Sequence, residues 1–495
     1  MTSLRILPVA AALAVAAMPA RSGTPGALAL DPAFDGAADL EQPGMALYHD
    51  LDAQGRHDFS LGVFAAEEGG YWLVAKHVDP ATIPSNSVFV ARLADDGSYD
   101  EGFGVGGEAA FDVLGPNGDG VVAVAKARGA DTFYFAGPVQ RADAPGTVDL
   151  GIACAAADGT PCAGFGDGGL VVVPILDATF TQVSGLAVDE SGNVIAAGGC
   201  KIEGTVDPNG NLDICVAAVD GGSGLPVDGF GTAGLSRIGI DIVEDGWDIP
   251  TVGSSLVVTG ADSPTGARIF IAGGTQVTPY AISNPFAFVD DRAFVVALDA
   301  HTGLVDPTFA TGGHVVVYDD GHTSFVTSLA TTPDGNLLLA GQTATDTAGE
   351  ARMLLARLAP DGSALGSFCG GGACIGNPDG VMKSTPRFVA ARPGSGDILV
   401  VAETGEALAD PLLQAVFEAD AHGTWTASRF LDYSAATPAA QTGDVGGFVL
   451  DAGNRLVVLG ERRWSIDTGQ PIDSHDVTLT RIAAPDAIFA DGFEP

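Results

Sequence analysis

The sequence predicts an all-β fold, a seven-bladed β-propeller of four-stranded antiparallel blades. Strands from the N- and C-terminal ends are expected to share one blade and close the ring. Three observations predict this. A Phe-centred, Gly-rich motif returns at intervals of 59 to 79 residues. A tight turn followed by an apolar run returns between its copies. No helical period appears after the apolar N-terminal run, whereas short runs of Val, Ile, Leu and aromatics alternate with Gly, Asp, Pro and Asn.

The anchors of the first marker are Phe34, Phe103, Phe165, Phe230, Phe309 and Phe368, with degraded copies at Phe430 and Phe489. The second marker is seen in "DESGNVIAAGG", "TPDGNLLLAG" and "DAGNRLVVLG". Both count seven units of about 65 residues. Unit five reads as the strands "GGHVVVYD", "FVTSLATTPDG", "NLLLAGQ" and "RMLLARLAPDG". D-G and S-G-N suit turns that need positive φ. A single four-stranded sheet exposes two apolar faces, and copies arranged in a ring bury both and leave few open edges. Each Phe is then a packing plug between blades.

Residues 30–495 are read as one domain of seven repeats. The first 29 read as a secretory signal peptide: Arg5, an apolar run from Ile6 to about Ala17, then small residues. Cleavage is expected after Ala20 or after Ala29. The run is too short to span a bilayer, and no later stretch reaches 18 apolar residues, so no membrane span is expected. Export to an oxidising compartment predicts that Cys154, Cys162, Cys200, Cys215, Cys369 and Cys374 form disulfides. Six cysteines allow 15 pairings, and the spacing favours neighbouring pairs that bracket turns.

The 62 acidic and 22 basic side chains give a formal charge of −40. Such a surface repels nucleic-acid phosphates and anionic lipids, and it favours a soluble monomer. No metal site is expected, because there is no C-x-x-C and the eight His do not cluster. No cofactor is expected. "GFGVGG" (102–107) opens no helix and reads as a blade turn. "DTG" (467–469) has no second copy to make a carboxylate pair. "DPNGNLD" (207–213) lacks the Gly and Glu of a calcium loop and reads as a hairpin tip. "ALDAHTG" (297–303) resembles a pyrroloquinoline-quinone propeller repeat without its tryptophan. "DAHGTW" (420–425) resembles a sialidase Asp-box with its Gly one place late.

"LDAHTGLVDPTFATGGHVVV" (298–317) carries the fullest form of the repeat in Asp306, Pro307, Phe309, Gly312 and Gly313. Asp31, Pro32 and Phe34 carry it again. On these residues the chain resembles the bacterial delta-60 repeat family over about residues 30–495. The copies "DEGFG", "CAGFG" and "LGSFC" depart from it by lacking Asp-Pro. The resemblance implies a propeller-like repeat fold in a secreted bacterial protein and no assigned activity. The terminal "IFADGFEP" also resembles a tail of secreted bacterial proteins.

Antiparallel connectivity places short, repetitive turns on one rim and variable loops on the other. Variable loops on a rigid scaffold are where binding concentrates. Trp247, Tyr280, Phe286, Arg462, Arg463 and Trp464 fall on the variable rim, where they either meet a ligand or fold back over the blades. The expected function is a secreted, non-catalytic propeller that binds an unidentified protein partner or a carbohydrate through this rim. The alternatives are a quinoprotein-like enzyme or hydrolase with a central site, and a structural cell-surface protein.

Overall fold

The computed structural model describes residues 14–17, 26–37, 39–48, 57–78, 87–118, 120–144, 146–175, 178–202, 212–239, 251–276, 291–318, 322–344, 350–378, 381–405, 413–431, 441–464 and 474–484. The chain opens with β1 (Ala14–Ala17), β2 (Gly26–Ala27), β3 (Asp39–Gln42) and β4 (Met45–Tyr48). Antiparallel meanders follow. They are β5 (His57–Ala65), β6 (Tyr71–Val78), β7 (Ser87–Leu93) and β8 (Glu108–Asp112); β9 (Ala123–Lys126), β10 (Thr132–Gln140), β11 (Val148–Ala156) and β12 (Leu170–Val173); and β13 (Ala178–Val188), β14 (Asn193–Ile202), β15 (Leu212–Asp220) and β16 (Leu235–Ile238). Next come β17 (Thr251–Thr259), β18 (Arg268–Gln276), β19 (Asp291–Asp299) and β20 (His314–Tyr318); β21 (Ser324–Thr331), β22 (Leu337–Ala344), β23 (Ala351–Leu358) and β24 (Gly372–Ile375); and β25 (Lys383–Ala391), β26 (Ile398–Gly405), β27 (Leu413–Ala419) and β28 (Trp425–Leu431). The last run is β29 (Gln441–Leu450), β30 (Leu456–Trp464) and β31 (Ser474–Ile482), and β4 completes it by pairing antiparallel with β31. The described residues contain no helix.

The fold is an all-β propeller, and the expected count of seven blades is corrected. Hydrogen bonding yields five sheets, of ten, four, four, four and nine strands. Neighbouring meanders fuse where single parallel bridges join them, Ala351 to Lys383 in the ten-stranded sheet and His475 to His57 in the nine-stranded one. β1 and β2 also add to the ten-stranded sheet, along β24 and β28. A sequence repeat counts chain segments, whereas the ladder of hydrogen bonds counts sheets.

The first strand of each meander is innermost. β5, β9, β13, β17, β21, β25 and β29 touch in that order, and β29 touches β5 again. Their residues are half-buried along much of their length, as strands around a central channel are. The apolar cores lie between adjacent meanders; one, for example, joins Phe270, Val295, Phe309, Leu339 and Leu354.

The Phe motif explains how one copy holds the next. Phe34, Phe165, Phe230, Phe309 and Phe368 are fully buried. A Cβ on Gly97 would lie 2.6 Å from the Phe34 ring, and one on Gly362 would lie 2.9 Å from the Phe309 ring. Both glycines have positive φ, +88° and +83°, so the D-G turn of the following copy needs glycine for its backbone and for the ring beneath it. The residue after the Phe donates its N–H to that same turn. Gly166 bonds Ser223 O at 2.9 Å, Gly231 bonds Thr302 O at 2.8 Å, Ala310 bonds Asp361 O at 2.7 Å and Cys369 bonds His422 O at 3.0 Å. Phe103 departs from this arrangement. It is half-buried and packs edge-on against Trp72 at 5.0 Å, and Gly159 of the following copy faces Phe111 instead.

Arginines stitch the same short-turn rim. Arg268 donates to Pro360 O (2.8 Å) and Arg357 to Ala421 O (3.3 Å), and Arg481 donates to Asp95 O. These carbonyls hold one position in the repeated turns "LAPDGS", "ADAHGT" and "LADDGS". Arg481 is wholly buried. It pairs with Asp31 at 2.9 Å and lies over the Phe34 ring at 5.0 Å, which ties the first Asp-Pro-x-Phe copy to the last strand. The cysteines pair as neighbours, Cys154–Cys162, Cys200–Cys215 and Cys369–Cys374, and none is free.

Candidate functional site at the channel mouth

On the opposite rim, the inner strands are irregular. Register shifts fall at Ser60/Gly62 in β5, Val183/Gly185 in β13, Gly253/Ser255 in β17, Val326/Ser328 in β21, Pro386/Phe388 in β25 and Thr442/Val445 in β29. A bulge bends its strand and re-aims side chains and backbone groups. Here the freed backbone groups are taken up by neighbouring meanders. Leu329 donates to Ser255 Oγ at 3.0 Å, and Val389 donates to Ser328 Oγ at 3.1 Å.

One repeat position makes the site. Each meander's second strand carries a small residue close under the inner strand, and the next residue turns toward the following meander. That next residue is Lys76, Pro138, Gly199, Gly274, Gln342, Glu403 or Glu461. Gln342, Glu403 and Glu461 cap the neighbouring bulge. Gln342 Oε1 accepts from Thr385 Oγ1 at 2.9 Å. Glu403 Oε1 accepts from Val445 N–H at 3.3 Å, and Glu461 Oε1 accepts from Ser60 N–H at 3.0 Å and Ser60 Oγ at 3.1 Å. The ring is therefore polar on the β22, β26, β30 and β6 side and has small or apolar residues on the β10, β14 and β18 side.

Arg387 sits at the β25 bulge among these groups. Its Nε and Nη2 donate to the two oxygens of Glu403, each at 2.8 Å, a bidentate pair that fixes both side chains. Asp444, at the β29 bulge, lies 3.9 Å from the same guanidinium. Glu403 is 4% exposed, whereas Arg387 is 40% and Asp444 55% exposed. The pair is thus anchored inside and presented outside. Gln414 closes the floor, donating through Nε2 to Glu461 O (2.9 Å) and Asp444 O (3.1 Å). Lys76 lies over the Phe59 ring at 5.3 Å. Burial lowers its pKa below the ordinary lysine value, and the charge of Glu461 partly restores it. The result is a fixed set of donors and acceptors at one end of the channel, with no group of three or more metal-ligating side chains among the described residues.

Of the residues singled out in the sequence, Trp247, Tyr280 and Phe286 lie outside the described residues. So do Ala20, the tail 488–495, the whole 467–469 motif and residues 207–211 of the 207–213 motif. Arg462 is on β30, 6% exposed and paired with Asp476 at 3.0 Å. Arg463 and Trp464 end the same strand, and the described structure does not define their side chains. The Arg387–Glu403–Asp444 group was not anticipated. Its only sequence signal is a charged or amide residue directly after the small residue of "VAE", "LGE", "LVAK" and "LAGQ".

A family model described as "Domain of unknown function (DUF5122) beta-propeller" matches residues 332–364, from the Thr332 turn through β22 and β23 to the next D-G turn. This agrees with the propeller-repeat reading and names no activity. No curated protein matches the chain. Among solved structures, the chain is similar to polysaccharide lyase Uly1, with 12% identity, TM-score 0.47, and coverage of 92% of this chain and 97% of that one. It is also similar to a PL25 ulvan lyase bound to -[GlcA(1-4)Rha3S]-, with 10% identity, TM-score 0.43 and 93% of both chains. The NanB sialidase of Streptococcus pneumoniae matches with 10% identity, TM-score 0.42, 90% of this chain and 71% of that one. Those three proteins are enzymes, which runs against the expectation of a protein without catalytic activity, and that expectation is withdrawn; the likeness itself shows the fold alone. Three disulfides are consistent with an extracellular or secreted protein, and no helix among the described residues is long and apolar enough to cross a membrane.

Proposed function

We propose that this secreted propeller takes a carbohydrate at the variable-rim mouth of its channel. One observation carries the reading: Arg387 is clamped by a buried carboxylate and presented, with Asp444, to solvent at the channel mouth. Vicinal sugar hydroxyls both donate and accept, so a guanidinium beside a carboxylate matches them, and pre-positioned groups lose little freedom on binding. Trp247, Tyr280, Phe286, Arg463 and Trp464, the rim residues expected from the sequence, are the further candidates for sugar contact. A second reading adds turnover at the same mouth. Burial lowers the pKa of half-buried Lys76 from the ordinary lysine value, against the opposing charge of Glu461, which makes Lys76 the candidate for a proton-transfer group.

The test is a glycan screen on the purified chain, repeated with Arg387→Ala and Asp444→Ala, with product formation followed in the same wells. Saturable binding weakened at least about tenfold in both variants supports the reading, since one lost buried contact of this kind is worth about 1.4 kcal/mol or more. Binding that is unchanged in both variants, or no binding to any glycan, overturns it. Product formation abolished by Lys76→Met would assign turnover to this mouth.

A further inference from the structure

The charges at the channel mouth decide which sugars fit it. Arg387 is a partly exposed cation, but its charge is already matched inside the chain. Both oxygens of Glu403 accept from its guanidinium at 2.8 Å, and Asp444 lies 3.9 Å away. Two carboxylates therefore face one guanidinium. Glu403 is 4% exposed and turned inward, so the carboxylate of this group that faces solvent is Asp444. Lys76 does not redress the balance, because it is half-buried over the Phe59 ring and the charge of Glu461 opposes its own. Among these five side chains, three negative charges meet two positive ones.

Other arginines of this rim are arranged in the same way. Arg141 pairs with Asp149, Arg237 with Asp213 at 3.3 Å and Arg462 with Asp476 at 3.0 Å. Each of these cations is matched within the chain rather than held out for an anion. A uronate or a sulfate ester at the mouth would add a third negative charge beside the single guanidinium of Arg387. Like charges this close repel, and more strongly as water is excluded. An ammonium group instead brings the Arg387–Glu403–Asp444 group to zero net charge. It also offers Asp444 charge-assisted N–H donors.

Resting on the carbohydrate reading above, we infer that the mouth selects a glycan whose sugars carry free amino groups, with an ammonium on Asp444 and neighbouring hydroxyls on Arg387.

The probes are oligomers of glucosamine, N-acetylglucosamine and galacturonic acid, matched in length and titrated calorimetrically against the full chain at low salt. The glucosamine oligomer is expected to bind at least about tenfold more tightly than its N-acetyl counterpart, and the galacturonic acid oligomer more weakly than both. About 1 M NaCl, which screens charges beyond about 3 Å, should remove most of this preference. Asp444→Asn keeps the shape of the side chain and removes its charge, so it should cut the amine preference to within about twofold. The unfolding midpoint of this variant, at an exposed side chain, is expected to be unchanged and checks the fold. Equal binding of amine and acetamide, or tightest binding of galacturonate, overturns the inference and leaves the carbohydrate reading standing. So does an amine preference that survives Asp444→Asn, which would be attraction to the acidic chain as a whole. Binding to none of the three overturns it too, and the glycan screen then decides the carbohydrate reading by itself.

Discussion

The two rims of this propeller are built from the same strands and do different work. On the short-turn rim, the turns at Gly97, Gly303, Gly362 and Gly423 each cover the Phe of the preceding copy, and those at Asp95, Pro360 and Ala421 receive its arginine. On the variable rim, the inner strands bulge, and the repeat position beside the bulges differs from copy to copy: Gln342, Glu403 and Glu461, which cap the next bulge, and Lys76 on one side, Pro138, Gly199 and Gly274 on the other. Repetition marks the rim that holds the ring together, and its interruption marks the rim where we propose that a ligand binds.

If that division is right, the largest stability effects belong to the short-turn rim. Arg481→Leu removes the cation that Asp31 pairs with at 2.9 Å and leaves buried polar groups uncompensated. It is expected to cost about 3–5 kcal/mol in urea unfolding. Phe309→Ala empties a fully buried plug, and about 3–5 kcal/mol is expected. The same change at half-buried Phe103 should cost clearly less, and equal losses would dissolve the distinction between them. Replacing Cys200 and Cys215 with Ser opens a 15-residue separation and should cost about 3 kcal/mol. Arg387→Ala leaves the buried Glu403 carboxylate without its bidentate partner and should cost about 2–3 kcal/mol, whereas Asp444→Ala, at an exposed carboxylate, should cost no more than about 1 kcal/mol.

The smallest effect is with pH. In the turns that end Asp-Gly-Ser, or the related Asp-Gly-Gly-Ser, the Ser98, Ser223 and Ser363 hydroxyls hold the Asp96, Asp220 and Asp361 carboxyls below their usual pKa, with backbone N–H groups adding to the effect. A carboxyl whose pKa is lower folded than unfolded contributes stability that is complete above the unfolded value, about 4, and is lost as pH falls through the folded value. The triple Ser→Ala variant should therefore be less stable near pH 7. Its deficit relative to the parent should shrink as pH falls below about 4 in acid-titrated unfolding curves.

The sequence disclosed the short-turn rim because its requirements are local and repeated. A positive-φ glycine after Asp, and a Phe at a steady interval, are visible in Asp361-Gly362 and Phe309 without any knowledge of contacts. The neighbouring cysteine pairs were legible for the same reason. The number of sheets was not, because it turns on single bridges such as Ala351 to Lys383, which no composition signals. Nor was the channel mouth. Glu403 and Arg387 are 16 residues apart on different strands, and only the bulge at Pro386/Phe388 brings the guanidinium onto the carboxylate. Arg462, one residue after Glu461, pairs inward with Asp476, since alternate residues on a strand face opposite ways.

The most direct measurement compares one residue from each rim, Arg357→Ala and Asp444→Ala, with both the urea midpoint and the affinity for the best glycan of the screen read on each variant. The rims are separable if Arg357→Ala lowers the midpoint and leaves affinity within about twofold, while Asp444→Ala weakens affinity at least about tenfold with little change in midpoint. Loss of affinity in Arg357→Ala equal to that in Asp444→Ala, or a midpoint that falls further in Asp444→Ala, would contradict the division of labour between the two faces.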